Sequence, residues 1–436
     1  MEHEHLDQDS LSRLLAVDRT EDQNRSLLHQ LAICPQCYRI GGYVLDLHRA
    51  GHLPLNFGVV DVELARSRAE APALWECVRR LPQSRRISLA QGRNPFLSWG
   101  FCELLCRTSR SLAGQDPEQA VEIAELAVQV AEGLSEENAA EERWLYQLRS
   151  LAWAHLGNAR RVRGDMPAAE SDFGASDQWW DAGDEGTGDA LGYRPVILDL
   201  KASLRIDQRR FADARKLLGE AHDLYIEAGD FHLAGRVLLN QAHAQLENHE
   251  IDEAISLLQK AGGLIDPERE PRLLLCARHN LLDHLSKAGR FAEARVLLPQ
   301  VQELSEFAGS RLDHVRLRWV EARIDAGLGE AGRARDAFSE ARQGFLDQGI
   351  AYDAALVSLE FAVFLLQDGR TDKVRELAAE MIPIFQSQEI HREALAALAV
   401  FQAAAVLDSA TVELAREVAA FLDQARHDPG LRFRTA

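Results

Sequence analysis

From about residue 150 onward the apolar positions recur at a fixed long period. Ala169, Ala214, Ala254, Ala294, Ala334 and Val374 are spaced by 45, 40, 40, 40 and 40 residues. Four residues after each stands Phe173, Leu218, Leu258, Leu298, Phe338 or Ala378, and seven residues after each stands Ser176, Ala221, Ala261, Val301, Ala341 or Met381. Twelve residues before each stands Gly157, Ala202, Ala242, Leu282, Ala322 or Ala362, all but one of them small. Positions i, i+4 and i+7 fall on one face of an α-helix. The small residue upstream lets a first helix come close to that face.

The polar positions mark the breaks. Turn-forming stretches separate the two helices of each unit: residues 207–210 (DQRR), 247–250 (ENHE), 287–290 (KAGR), 328–332 (LGEAG) and 367–370 (QDGR). A second turn closes most units, at 227–230 (EAGD), 307–310 (FAGS) and 347–350 (DQGI). Gly229, Gly309 and Gly349 suit the left-handed residue that commonly ends a helix. Each unit therefore reads helix, turn, helix, turn. Residues 97–133 form a degenerate first unit with Ala120, Ala124 and Ala127 on the stripe, and residues 391–426 form a last one. The acidic, glycine-rich stretch Asp181–Asp189 reads as an inserted loop.

The run Trp153-x2-Leu156-Gly157, followed by Ala169 and Phe173, resembles the signature of the tetratricopeptide repeat family. Arg160 replaces the family's Tyr and Asp181 its Pro, and the period of about 40 exceeds the usual 34. The resemblance covers roughly residues 96–426 and implies an all-α, right-handed superhelical solenoid of about eight antiparallel helix pairs. It also implies that the first helix of each pair lines a concave binding face. Projected onto this chain, that face includes Asn158, Arg161, Asp199, Ser203, His243, His279, Asp283, Arg316, Trp319 and Arg323. Asn158 and Arg161 begin a carboxylate clamp of the kind some relatives carry, but Asp199 and Ser203 do not continue it. Arg316, Trp319 and Arg323, three and four residues apart, form either an interaction stripe or a stripe whose Trp packs on the next helix.

The front of the chain does not share the period. Residues 1–20 read as a polar tail and 21–95 as a small helical module, while 427–436 read as a C-terminal tail. Five of the six cysteines lie in the first quarter of the chain. His29-x4-Cys34-Pro35-x-Cys37 offers an imidazole and two thiolates at spacings that suit one metal ion. The stretch resembles the zinc-binding domain of bacterial anti-sigma factors, although four residues rather than three separate His29 from Cys34. That resemblance implies one structural zinc, with His3, His5, His48 or Cys77 as the fourth ligand, and a sigma factor as partner. The same residues also suit buried cysteines in a helical bundle, or a redox pair. The basic run Arg79–Arg93 reads as a solvated linker or a contact for an acidic partner.

Composition narrows the function. The formal net charge is −19, from 49 basic and 68 acidic residues, which argues against holding a nucleic-acid backbone or an anionic membrane. Met1–Ser10 lacks the basic-then-apolar order of a signal peptide, and the longest apolar stretch, Leu395–Leu407, falls short of the roughly 20 residues that span a bilayer. A cytoplasmic protein is expected. No phosphate loop, dinucleotide fingerprint, HExxH or GxSxG occurs. Cys276 with His279 sits on one helix face with no third group to orient it, so a packed cysteine is the expectation there. The sequence thus points to a non-enzymatic scaffold or regulator in bacterial signalling or stress response, binding another protein or an extended peptide. The narrower alternative is an anti-sigma-like transcriptional regulator.

Overall fold

The computed structural model describes residues 62–83, 85, 86, 95–135, 142–183, 192–386, 392–425, 432 and 433. Among them the chain is all-helical. It divides into two compact units between Arg269 and Glu270. In the first unit, α1 (Val62–Val78) precedes four antiparallel pairs: α2 (Trp99–Leu112) with α3 (Pro117–Gly133), α4 (Glu142–Arg163) with α5 (Met166–Gly183), α6 (Arg194–Asp207) with α7 (Phe211–Glu227), and α8 (Phe231–Glu247) with α9 (Ile251–Leu264). The second unit contains four more: α10 (Pro271–Lys287) with α11 (Phe291–Ala308), α12 (Arg311–Gly327) with α13 (Ala331–Asp347), α14 (Ala351–Gln367) with α15 (Thr371–Gln386), and α16 (Arg392–Val406) with α17 (Val412–Ala425). No described helix is long and apolar enough to cross a membrane.

The expected stripe forms the core. Ala169, Ala214, Ala254, Ala294 and Ala334 are wholly buried, as are Ala202, Leu282, Ala322 and Ala362 on the facing helices. Phe173, Leu218, Leu258, Leu298 and Phe338 are buried beside them, each stabilising by about 2 kcal/mol relative to exposure. The role of the small residue is direct at Gly157, where a Cβ would stand 2.9 Å from the Phe173 ring. Ser150 and Ser176 clasp the same two helices, each hydroxyl donating to the other's carbonyl at 2.8 Å. Trp180 is buried, while Trp179 stacks on Tyr146 at 5.6 Å between ring centres.

The turns follow one plan. Gly164, Gly289, Gly329 and Gly369 have positive φ inside their pairs, and Gly229 and Gly349 between pairs. Arg209 (φ 57°), His249 (φ 64°) and Asp408 (φ 52°) take the same place without glycine. The next N–H then reaches back to the helix, as from Arg290 to the Leu285 carbonyl at 2.9 Å. Gly309 departs from expectation: its φ is −82° and ψ 152°, which is extended backbone. The chain there passes straight into a capping box, in which Ser310 and Asp313 satisfy each other's backbone N–H groups at the start of α12. The expected loop at Asp181 also begins later, because α5 runs on to Gly183, where a Cβ would lie 2.9 Å from the Cβ of Tyr146.

Helix α1 docks on α2 by close backbone approach. A Cβ on Gly100 would overlap the backbone of Ser67 and Arg68, and the Gly100 N–H donates to Ser67 Oγ at 2.8 Å. Alongside, Arg68 donates twice to the buried Glu103 carboxylate, at 2.7 and 2.5 Å. Tyr193 donates its hydroxyl to Glu103 and accepts from Trp99 Nε1 at 2.9 Å. Burial alone would push the Glu103 carboxyl up, but Arg68 and Tyr193 outweigh it and the net displacement is downward. Part of the basic run is structural too: Arg86 is buried and donates to the carbonyls of Leu81 and Arg79.

Candidate interaction surface on the first helices

Within the first unit, α4, α6 and α8 carry five of the projected residues. Asn158 on α4 is buried and its Oδ1 accepts from Arg161 at 3.1 Å. Arg161 then reaches Asp207 on α6 at 2.6 Å. Asp199 on α6 is buried and accepts from Arg110 on α2 at 2.8 Å and from Asn240 on α8. Ser203 turns back to the Asp199 carbonyl at 3.2 Å. His243 on α8 is exposed. Asn158, Arg161 and Asp199 are therefore built into polar bonding that joins first helices across repeats, while Ser203 bonds only within α6.

A second network occupies the second unit. Arg323 on α12 donates to Asp283 on α10 at 2.5 Å and to Glu360 on α14 at 2.7 Å. Trp319 donates its indole N–H to the same Glu360 oxygen at 2.7 Å. The Arg323 guanidinium lies 4.6 Å over the Trp319 ring, whose edge meets Phe345 at 5.8 Å. Burial would raise the Asp283 carboxyl, but Arg323, His284 and Lys287 overcome it and hold it well below the ordinary carboxylate range. His279, one turn before Asp283, is pushed down by burial, and its Nε2 has no hydrogen-bond partner. Arg316 on α12 is exposed and makes no ion pair among the described residues.

The stripe Arg316, Trp319 and Arg323 is thus divided. Trp319 and Arg323 stitch three first helices together, and Arg316 is left facing solvent. The sequence reading missed Arg110, Asn240 and Glu360. The signal for two of them was the repeat spacing itself: Asn240 follows Asp199 by 41 residues and Glu360 follows Trp319 by 41. Buried charge of this kind needs a paired, hydrogen-bonded partner, and for these two it falls one repeat away on the neighbouring first helix, whereas Arg110 stands 89 residues before Asp199.

The other expectations fall elsewhere. His29, Cys34 and Cys37 lie outside the described residues, as do His3, His5 and His48. Cys77 is exposed on α1. Among the described residues no group of three or more His, Cys, Asp or Glu side chains is placed to hold a metal ion. Cys276 is exposed and its thiol is pushed up by burial of its surroundings, with Arg272 opposing.

No protein-family model matches the chain, and no curated protein sequence matches it either. Solved structures do. A Rap protein in complex with competence and sporulation factor is 12% identical, with a TM-score of 0.49, over 74% of this chain and 87% of that one. Aspartyl phosphate phosphatase F from Bacillus subtilis is 12% identical, with a TM-score of 0.47, over 98% of this chain and 96% of that one. A signal transduction ATPase with a tetratricopeptide repeat sensor, from Pyrococcus horikoshii, is 14% identical, with a TM-score of 0.55, over 96% of this chain; this chain spans 64% of that protein's length. At that identity the likeness is one of fold: the chain has the tetratricopeptide-like architecture of stacked helix pairs.

Proposed function

We propose that this is a non-enzymatic scaffold or regulatory protein that binds an extended segment of another protein along the first helices of its repeats. The observation that carries the reading is the Asp283–Arg323–Glu360 network beside exposed Arg316. A surface whose buried charges are already paired is pre-organised, so ordering it adds little to the cost of binding. Exposed Arg316 in the second unit and exposed His243 in the first then each supply a free polar contact on their own unit. Arginine with a neighbouring aromatic is a common centre of binding energy.

The test is capture of a partner by the full-length chain, repeated with Arg316→Glu and His243→Glu. Both side chains are exposed, so the fold should be unchanged by thermal melting. Loss of the partner with retained melting supports the reading, and retention of the partner by both variants refutes it.

A narrower reading draws on the spacing of His29, Cys34 and Cys37. In it, the front segment binds zinc and holds a sigma factor while the repeats receive a signal, in bacterial signalling or stress response. Binding of a sigma factor that fails in Cys34→Ser and Cys37→Ser would support it, and unchanged binding would exclude it.

A further inference from the structure

The segment 209–216 (RRFADARK) is strongly basic in an acidic chain: Arg209, Arg210, Arg215 and Lys216 face one acid, Asp213. In the structure it borders a recess of about 360 Å³ lined by Arg209, Arg210, Asp213, Arg215, Gln245 and Asn248, with the first turn of α7. Arg210 is the residue before α7 and provides no side-chain cap, so the N–H groups of Phe211, Ala212 and Asp213 have no capping acceptor. Asp213 is paired with Arg210 at 2.7 Å, which leaves the other two guanidinium groups uncommitted. Arg209 packs over the Phe211 ring at 5.8 Å and, like Arg215, makes no ion pair among the described residues. The neighbouring Arg205 and Gln208 are both engaged by Glu170.

Gln245 supplies an independent observation. It sits on α8, in the next repeat, and only 5% of it is exposed. It lines the recess, and its side-chain amide makes no hydrogen bond among the described residues. A buried polar side chain is ordinarily satisfied, so an amide left open toward a recess points to an absent partner. An oxygen-rich anion would satisfy Gln245, the open N–H groups of α7 and the two free guanidinium groups together.

We infer that this recess binds a phosphate-type dianion. The site is distinct from the proposed interaction surface, because none of its residues belongs to either polar network. The shared chemistry is the phosphate group, carried on a partner side chain or free in solution.

One backbone feature makes the test clean. Arg209 holds the left-handed position that glycine holds in other repeats, so Arg209→Gly removes the charge while easing the backbone. The full-length chain is titrated with inorganic phosphate and with a phosphoserine pentapeptide at constant ionic strength, by calorimetry. Saturable binding is expected, weakened about tenfold in Arg209→Gly and in Arg215→Gln, since hydrogen bonds to charged groups are worth at least that. His249→Gly, the same backbone change one repeat on, should leave binding unchanged. Tighter binding of the phosphopeptide assigns the group to a partner segment, and tighter inorganic phosphate to a free anion. Thermal melting of Arg209→Gly should rise while its affinity falls. Absence of saturable binding by the wild-type chain, or equal binding by all three variants, would overturn the inference.

Discussion

Asp283 and Arg323 occupy the same position in successive repeats, 40 residues apart in sequence and 2.5 Å apart in space. The pair ties α10 to α12, and Glu360 continues the tie to α14. The period that builds the apolar core therefore also sets the spacing of the charges.

Removing Arg323 takes away the guanidinium that bridges two acids, leaving Asp283 to Lys287 and His284 and Glu360 to the Trp319 indole. Arg323 and Asp283 are 13% and 17% exposed, so some water screens them. Arg323→Leu should lower unfolding stability by about 3 kcal/mol, the low end for a broken buried pair. Arg323→Lys should recover little, because one ammonium cannot bridge two carboxylates and lie flat over Trp319. Urea unfolding of the three chains checks both statements.

The same pair gives an acid limb. The Asp283 carboxyl is held down in the folded chain, so its contribution is complete above the unfolded value of about 3.9 and is lost as pH falls through the lower folded value. Asp283→Asn should lose stability at neutral pH and show a shallower decline than wild type below about pH 4. Equal slopes for the two chains would show that Asp283 titrates as an ordinary exposed acid.

Close approach at Gly157 sets a steric limit. Gly157→Val should destabilise by about 2–3 kcal/mol, because the Phe173 ring is buried and cannot yield. Gly157→Ala combined with Phe173→Leu should recover most of the loss of Gly157→Ala alone. A double-mutant cycle by thermal unfolding reads the coupling.

The apolar part of this architecture was legible because stripe and spacing are local facts: Ala254, Leu258 and Ala261 can be read from one helix. The polar part was less so. Asp199 and Trp319 could be placed on the first helices, but their partners Asn240 and Glu360 are fixed by how one repeat lies on the next. Gly309 was misread because glycine also serves where a neighbouring group, here the Ser305 carbonyl, leaves no room for a Cβ.

Left-handed arginine and histidine are a standing strain. His249→Gly should raise stability by about 0.5–1 kcal/mol, since the relief of an unfavourable φ exceeds the entropy added to the unfolded chain. Gly289→Ala and Gly369→Ala, at equivalent turns, should lower it by a similar amount. Differential scanning calorimetry of the three variants gives the signs.

Docking of α1 rests on one missing side chain. Gly100→Ala should force α1 off α2, opening the Arg68–Glu103 pair and destabilising the first unit by about 3 kcal/mol. Limited trypsin digestion should then cut after Arg66 and Arg68 before the repeats are cleaved.

The central claim is that a partner segment lies along the first helices. A photo-crosslinking residue placed at Arg316 on α12, at the exposed Cys276 one repeat before it on α10, or at Val296 on the second helix α11 measures this in native cells; Val296 is 76% exposed and so accessible as well. The account predicts one common partner crosslinked from positions 316 and 276 and not from 296. Crosslinks to that partner from 296 alone would contradict it.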